Sequence, residues 1–331
     1  MRRPLRWWKG ACAALLMLAA GCAFAQDLPR IHEAVDPGGQ ASIEQAASGE
    51  LAFRPLERPG AVQLGTGALW LRVDLPTPSA DEPRYLLLPG AAYINRVTLF
   101  QRTADGRWSA QQAGDHLPAA RWPHPTSAPL FALPAGGGQS AWLRIENRPA
   151  SVSTHVQLLT ASELQAQRQW TYLLVGGYLG FGVLVALVAL MMGRLSADVA
   201  LHSYAAYVAC MLLFQLAYTG VGAAFFWPRS AAFANAAPAL FMLLMTAAGI
   251  WNIRNATALQ RHAPRVDRAV LAFCLFGVAF TLPYLALDSA VLLAVLNLYG
   301  LLAVVLSITL CLWTWRRGEP WSLWLFVCFL P

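Results

Sequence analysis

The sequence predicts an all-β, jelly-roll-like sandwich ectodomain followed by an α-helical polytopic membrane bundle. In the first half of the chain, apolar residues alternate with polar ones, which is typical of strands with one buried face. In the second half, uncharged apolar stretches are long enough to cross a bilayer as helices. Across the 331 residues, 57% are hydrophobic and only 12% are charged, a balance typical of a membrane protein.

Residues 1–25 have the features of a secretory signal peptide. A basic segment at 1–9 precedes an apolar segment at 10–22, and Ala23 and Ala25 supply the small residues of a cleavage site before Gln26. An alternative is a lipoprotein signal in which Cys22 is lipidated, although the leucine then lies one position too early. Both interpretations predict that the following domain is exported.

Residues 26–165 are predicted to form an exported β-sandwich domain, which would lie in the periplasm of a bacterium. Within 69–75 the odd-numbered residues are apolar and would share one face, while Trp70, Arg72 and Asp74 would share the other. The segment 141–146 repeats this pattern, and further strands are expected at 85–88 and 97–101. Proline and glycine residues between these segments indicate turns and loops. No cysteine lies between Gln26 and Trp170, so this domain must be stable without disulfides.

Four side chains on the non-core face of these strands are candidate ligand-binding residues: Trp70, Arg72, Trp142 and Arg144. Aromatic rings stack on the apolar faces of sugars, and guanidinium groups clamp carboxylates. The expected ligand is therefore a small molecule, either a carbohydrate or a carboxylate. The alternative is that both tryptophans fill the second side of the sandwich or contact the membrane domain.

The residues indicate neither an enzyme nor a cofactor-binding protein. Asp115, His116 and His124 have a spacing that fits no metal site, and Pro123 and Pro125 place His124 in an extended loop. The membrane stretches contain no nucleophile beside a base and no paired carboxylates. We therefore predict no catalytic residues, no metal ligands and no cofactor.

Residues 166–331 are predicted to form the membrane domain, with five full spans and a truncated sixth. The spans are expected at 171–193, 199–222, 236–253, 269–287 and 290–315, and the sixth begins at Trp321. Polar side chains within them are few, and a role in hydrogen bonds between helices is expected for His202, Gln215, Asn235 and Asn297.

The net charge of +7 is a topology signal and not a nucleic-acid footprint. The region 26–170 is nearly neutral, with 12 arginines and 13 acidic residues. If the sandwich lies outside, one set of loops faces the cytoplasm and carries seven arginines: Arg194, Arg254, Arg261, Arg265, Arg268, Arg316 and Arg317. The opposite loops carry Arg229 alone. This predicts a multi-pass protein of the bacterial inner membrane, in contact with its lipids.

Several segments in order resemble one known family. In the first half these are 68–73, 85–88, 97–100, Gly114-Asp115 and 141–145. In the second half they are 176–180, 202–207 and 220–228, the last ending in Trp227-Pro228. The chain resembles the bacterial seven-transmembrane receptors with diverse intracellular signalling modules, with their type 2 extracellular domain followed by their seven-helix domain.

This resemblance implies a carbohydrate-binding-like jelly-roll sensor and signal transfer through the helices to a cytoplasmic diguanylate cyclase or histidine kinase. The sixth helix is short and neither a seventh nor an output module follows, so the resemblance predicts a C-terminally incomplete receptor. Analogy with other receptors suggests a homodimer. The competing functions are a transporter or permease component, disfavoured by the lack of charge in the spans, and a membrane anchor for a partner protein.

Overall fold

The protein is described by a computed structural model that covers residues 30–75, 83–90, 93–103, 105–133, 140–148, 150–287 and 289–317. The predicted signal peptide, the alternative lipidation site at Cys22 and the predicted short sixth span lie outside these residues.

Antiparallel strands form the N-terminal domain. Their bounds are β1 Arg30–Asp36, β2 Arg54–Pro55, β3 Ala61–Val62, β4 Ala68–Asp74, β5 Arg84–Leu87, β6 Arg96–Arg102, β7 Trp108–Ala113, β8 Leu130–Leu133, β9 Ser140–Glu146, β10 Val152–Ser153 and β11 Gln157–Thr160. A six-stranded sheet has the order β2-β1-β4-β9-β6-β7, and a three-stranded sheet has the order β11-β5-β8. The strands β3 and β10 form a separate pair.

The main core lies between the six-stranded and three-stranded sheets. Leu69 and Leu71 of β4 pack with Leu143 of β9 on one side, and Leu86 and Phe131 cover them from the other. All five side chains are fully buried, and each contributes roughly 2 kcal/mol by leaving water. The predicted sandwich of antiparallel strands is confirmed.

The outer face of the six-stranded sheet is also covered, by a short helix and the segment that follows it. The helix α1 spans Ile43–Ser48, begins with a capping box at Ser42 and ends at Gly49, whose φ is 89°. Ile43 and Ala46 of this helix are buried in a second, smaller core. The part of the sheet around Trp70 and Trp142 is therefore covered on both faces.

The C-terminal half is a bundle of long apolar helices. Their bounds are α2 Ala161–Ser196, α3 Val199–Tyr218, α4 Ala231–Ala256, α5 Leu259–His262, α6 Pro264–Ala286 and α7 Ala290–Arg316. All but the short α5 are long and apolar enough to span a membrane, which confirms the predicted helical membrane bundle. The first helix begins at Ala161, ahead of the predicted domain boundary between residues 165 and 166.

Small and polar residues set the packing inside the bundle. The helix α4 contacts α3, α6 and α7. Ser203 of α3 donates a hydrogen bond to Asn252 of α4 at 3.1 Å, and both residues are buried. Gly277 lies so close to the Tyr299 ring that a Cβ would be 2.1 Å from the phenol oxygen. The predicted polar residue His202 instead contacts a carbonyl of its own helix, that of Asp198.

Candidate functional site

The structure brings the four predicted ligand-binding residues together on the central strands of the six-stranded sheet. Trp70 of β4 lies opposite Arg144 of β9, and Arg72 lies opposite Trp142. The guanidinium carbon of Arg72 is 5.8 Å from the Trp142 ring centroid. The alternation in sequence thus identified one contiguous patch.

The two tryptophan rings of this patch are covered by the protein itself. Trp70 is fully buried and Trp142 is 8% exposed. Phe100 stacks on Trp70 with ring centroids 5.8 Å apart, and Phe53 meets Trp142 edge to face at 5.3 Å. The tryptophans therefore fill the second side of the sandwich, as the alternative interpretation predicts. Their role in ligand binding stays a prediction.

The two arginines of the patch are already paired with carboxylates two residues further along their own strands. Arg72 contacts both carboxylate oxygens of Asp74, at 3.0 and 3.3 Å. Arg144 pairs with Glu146 and donates a further hydrogen bond to the Gly39 carbonyl at 2.6 Å. Burial favours a raised pKa for Asp74, but the hydrogen bonds and charge of Arg72 outweigh it and lower that pKa. An acidic ligand would have to compete with these carboxylates.

A second candidate site is the junction between the sandwich and the membrane helices. The last residue of β11, Thr160, is also the N-cap of α2, so no linker separates sheet and helix. The Thr160 amide donates to the Glu163 carboxylate at 2.9 Å, and the Glu163 amide donates to the Thr160 hydroxyl at 3.3 Å. This capping box satisfies free amides at the start of the helix and holds its direction relative to the strand.

Apolar contacts extend the junction beyond the capping box. Leu164 of α2 is buried against Leu130 and Leu159, on the face of the three-stranded sheet that points away from the main core. Gln167 donates a hydrogen bond to Gln157 of β11 at 3.1 Å. A shift of this sheet would therefore be transmitted to the first turns of α2.

The sandwich also contacts the C-terminal end of α3 and the loop that follows it. The rings of Tyr93 and Tyr218 stack with centroids 6.1 Å apart. The amide of Ala120 donates to the carbonyl of Pro228 at 2.9 Å, which joins a 3₁₀ turn of the sandwich to the loop before α4. Together with the direct connection from β11 to α2, these two contacts attach the sandwich to the bundle at three places.

A cavity of about 310 Å³, called the junction cavity below, opens where the sandwich meets α2 and α3. Its lining is largely apolar and includes Leu87, Leu130, Leu164 and Val175. Among the described residues that line it, Arg168 of α2 is the one charged side chain. This volume falls at the lower end of small-molecule sites, about 300–1,000 Å³.

A buried hydrogen-bond network links the strand ends at the base of the sandwich. The side-chain amide of Asn95 donates to the Asp115 carboxylate at 3.2 Å, and the backbone amide of Asn95 donates to the Asn147 side chain at 3.1 Å. The amide of Arg148 donates to the Asn95 side chain at 2.6 Å. Arg148 in turn lines a further cavity of about 320 Å³ with Asn235 and other residues of the membrane helices. The network thus reaches the bundle.

Replacing Asp115 with Asn should stabilise the sandwich at neutral pH. Burial raises the pKa of Asp115, against the opposing effects of the Asn95 hydrogen bond and the His116 charge. The ionised form therefore costs folding free energy above the ordinary aspartate pKa, and Asn removes that cost while still accepting from Asn95. We expect a gain of about 1 kcal/mol, or about 3 °C in melting temperature.

The pH dependence of this gain is the test. At a pH below its pKa in the unfolded chain, the Asp115 carboxyl is protonated in both the folded and the unfolded state and costs no stability. The gain from Asn should therefore vanish below about pH 4. Hydrogen exchange of the peptides that contain β6 and β7, measured in the full chain at pH 4 and pH 7.5, reports it. A variant that is less stable than the parent at pH 7.5 would show that the carboxylate is needed.

At the opposite end of the bundle a buried ion pair joins α4 and α6. Arg254 donates to the two carboxylate oxygens of Asp267 at 2.5 and 2.9 Å, and the two residues are 9% and 8% exposed. With its amide oxygen turned toward Arg254, Gln260 accepts two more hydrogen bonds at 2.9 and 2.7 Å. The sequence places Arg254 in a cytoplasmic loop after a span that ends at residue 253, whereas in the structure it lies in the last turn of α4 and is neutralised by Asp267.

The patch on the six-stranded sheet is visible in the sequence, whereas the junction is not. Arg168 carried a usable signal, since it lies in a polar segment immediately before the interfacial Trp170. The pairs Tyr93–Tyr218 and Asn95–Asp115 carried none, because their members lie far apart in the chain. Among the described residues no three His, Cys, Asp or Glu side chains cluster as metal ligands would.

Comparison with known proteins agrees with this two-part architecture. The family model described as "7TMR-DISM extracellular 2" matches residues 30–160, and the model described as "7TM diverse intracellular signalling" matches residues 171–331. A search of curated proteins found no match. The two matched ranges are separated by residues 161–170, which form the first turns of α2.

Proposed function

Because the chain belongs to the family of seven-transmembrane receptors with diverse intracellular signalling modules, we propose that it senses a small molecule outside the cytoplasm and relays the signal inward. It is a multi-pass membrane protein with a β-sheet sensory domain. In this proposal the sandwich lies in the periplasm, the helices cross the bacterial inner membrane, and the signal passes to a cytoplasmic output module.

The observation that carries the proposal is the direct passage from β11 into α2 at Thr160. A flexible linker would let the sandwich reorient without moving the helix, whereas a capped strand-to-helix connection couples the two. The Leu164 contact and the Tyr93–Tyr218 stack add two more points of attachment. A ligand that binds one arrangement of sandwich and bundle more tightly than another would shift the population between them.

The role of the sequence-predicted patch in this proposal is recognition by Arg72 and Arg144. Arg72 is 37% exposed, whereas the tryptophans beneath it are covered. The Nε atom of Arg144 and the Nε1 atom of Trp70 have no acceptor among the described residues. A carbohydrate or carboxylate could satisfy such donors if the covering segment moved.

The proposal is tested by an insertion that breaks the direct passage. The full chain in lipid nanodiscs is screened by thermal shift against monosaccharides, disaccharides and small carboxylates. With any stabilising compound, hydrogen exchange should change in the sandwich and also at the far ends of α4 and α6. Inserting Gly-Ser-Gly-Ser between Thr160 and Ala161 should preserve binding and reduce the far-end change by about fivefold or more, because flexible residues do not transmit orientation.

The matched control places the same four residues after Gly106, in the exposed turn between β6 and β7. This variant should keep both the binding and the far-end change. Ligand effects that stay within the sandwich of the unmodified chain would contradict the receptor proposal. Saturable flux of the compound in proteoliposomes would favour the transporter instead.

A further inference from the structure

We propose that the junction cavity binds a medium-chain monocarboxylate, with its carboxylate on Arg168 and its alkyl chain between the sandwich and α2. The proposal deepens the receptor function and rests on it only for the consequence of binding. A compound seated there would touch both domains, because Leu87 and Leu130 come from the sandwich while Leu164 and Val175 come from α2.

The charge of the occupant follows from Arg168. Arg168 is a solvent-exposed residue that lines the junction cavity, and among the described residues it forms no ion pair with a carboxylate. The other basic group nearby is His124, whose pKa is lowered by burial and by the Arg168 charge. An arginine without a counter-ion beside a neutral imidazole favours an anion, and its planar fork suits a carboxylate.

The apolar part of the occupant follows from the rest of the lining. Leucine and valine side chains and the Tyr172 ring give the cavity a mostly apolar wall, with threonine, serine and glutamine side chains between them. Arg168 lies two residues before the interfacial Trp170, on the periplasmic side of the proposed inner-membrane domain. At such an interface an amphiphile keeps its charged end in water and its chain in an apolar environment.

The size of the cavity suits a single short chain. A space of about 310 Å³ accommodates one medium-length alkyl chain. An adjoining depression is lined by Tyr85, Leu164 and Arg168, so Arg168 borders both spaces.

The test uses octanoate as the probe and octanamide as its uncharged match. The full chain in phosphatidylcholine nanodiscs is treated with a diazirine analogue of octanoate and irradiated, and the labelled peptides are identified by mass spectrometry. Labels should fall within 124–130 and 164–175, and octanoate should compete roughly tenfold better than octanamide, as expected for one charge-assisted bond.

Three variants separate the charge, the space and general effects. Arg168→Gln should weaken octanoate competition roughly tenfold and leave octanamide unchanged. Val175→Phe fills the apolar part and should weaken both compounds. Arg229→Gln removes an exposed arginine of the outer loop that does not line the cavity, and it should change neither.

Several outcomes would overturn the inference. Equal competition by octanamide would remove the role of Arg168, and labels elsewhere would remove the site. Repeating the experiment with phosphatidylglycerol in the nanodiscs distinguishes a lipid headgroup, since loss of octanoate labelling there would assign the cavity to the anionic lipid. Each result leaves the receptor proposal standing, because the Thr160 insertion experiment is carried out with compounds that bind the sandwich and not with octanoate, whose site the insertion would open.

Discussion

Replacing Asp267 with Asn should lower the stability of the membrane bundle by about 3–5 kcal/mol, because Arg254 would keep its charge in a buried place without a counter-ion. The pair is bidentate and its two side chains are 11% and 12% exposed. It joins the end of α4 to the start of α6 across a connection in which Ala258 has a φ of 44°. Loss of the pair should therefore loosen this whole turn.

The measurement is thermal unfolding of the full chain in detergent, followed by a maleimide dye that fluoresces on thiols. Cys274 and Cys311 are buried in the same cluster as Ile253 and Val270, so the dye reports the opening of this region once the other four cysteines are replaced by serine. The control is the double variant Arg254→Met with Asp267→Leu, which removes both charges and should melt close to the parent. If Asp267→Asn also melts like the parent, the pair contributes nothing measurable to the bundle.

Replacing Gly114 with Ala should cost the sandwich about 3 kcal/mol or more, because two effects add at this position. Its φ of 127° is unfavourable for residues with a side chain. A Cβ there would also lie 2.5 Å from the Asn95 carbonyl oxygen and 2.8 Å from the Arg96 Cα, both backbone atoms that cannot rotate away. The turn that follows supplies Asp115 to the buried network, so the damage should reach the base of the sandwich.

Gly106→Ala is the matched control, since Gly106 has a φ of 77° but nothing within 4 Å of a built Cβ. We expect it to cost about 1 kcal/mol from backbone strain alone. Hydrogen exchange of peptides from the sandwich, measured in the full chain, separates the two variants from changes in the bundle. Equal protection in both would mean that the backbone at Asn95 moves aside.

Most of the architecture was predictable from the chain because it depends on local patterns. A period of two assigns Leu69 and Leu71 to one face and Trp70 to the other, whatever packs against them. A long uncharged segment must be helical in a bilayer, since each backbone polar group has to be paired internally. The strands, the five spans and the membership in the receptor family follow from such patterns and from the order of short motifs.

Local patterns could not decide which faces of the strands are buried by other segments, or which charged side chains are paired with distant residues. The alternation of β4 and β9 placed Trp70 and Trp142 on the side away from the main core, but α1 and Phe53 bury them there. The sequence placed Arg254 in a cytoplasmic loop, but in the structure it ends α4 as a buried residue, paired with Asp267, 13 residues further along the chain. The junction cavity with Arg168 likewise exists only because two domains meet. Periodicity determines the direction of a side chain, whereas its neighbours, and hence its exposure and its chemistry, are set by contacts between distant segments.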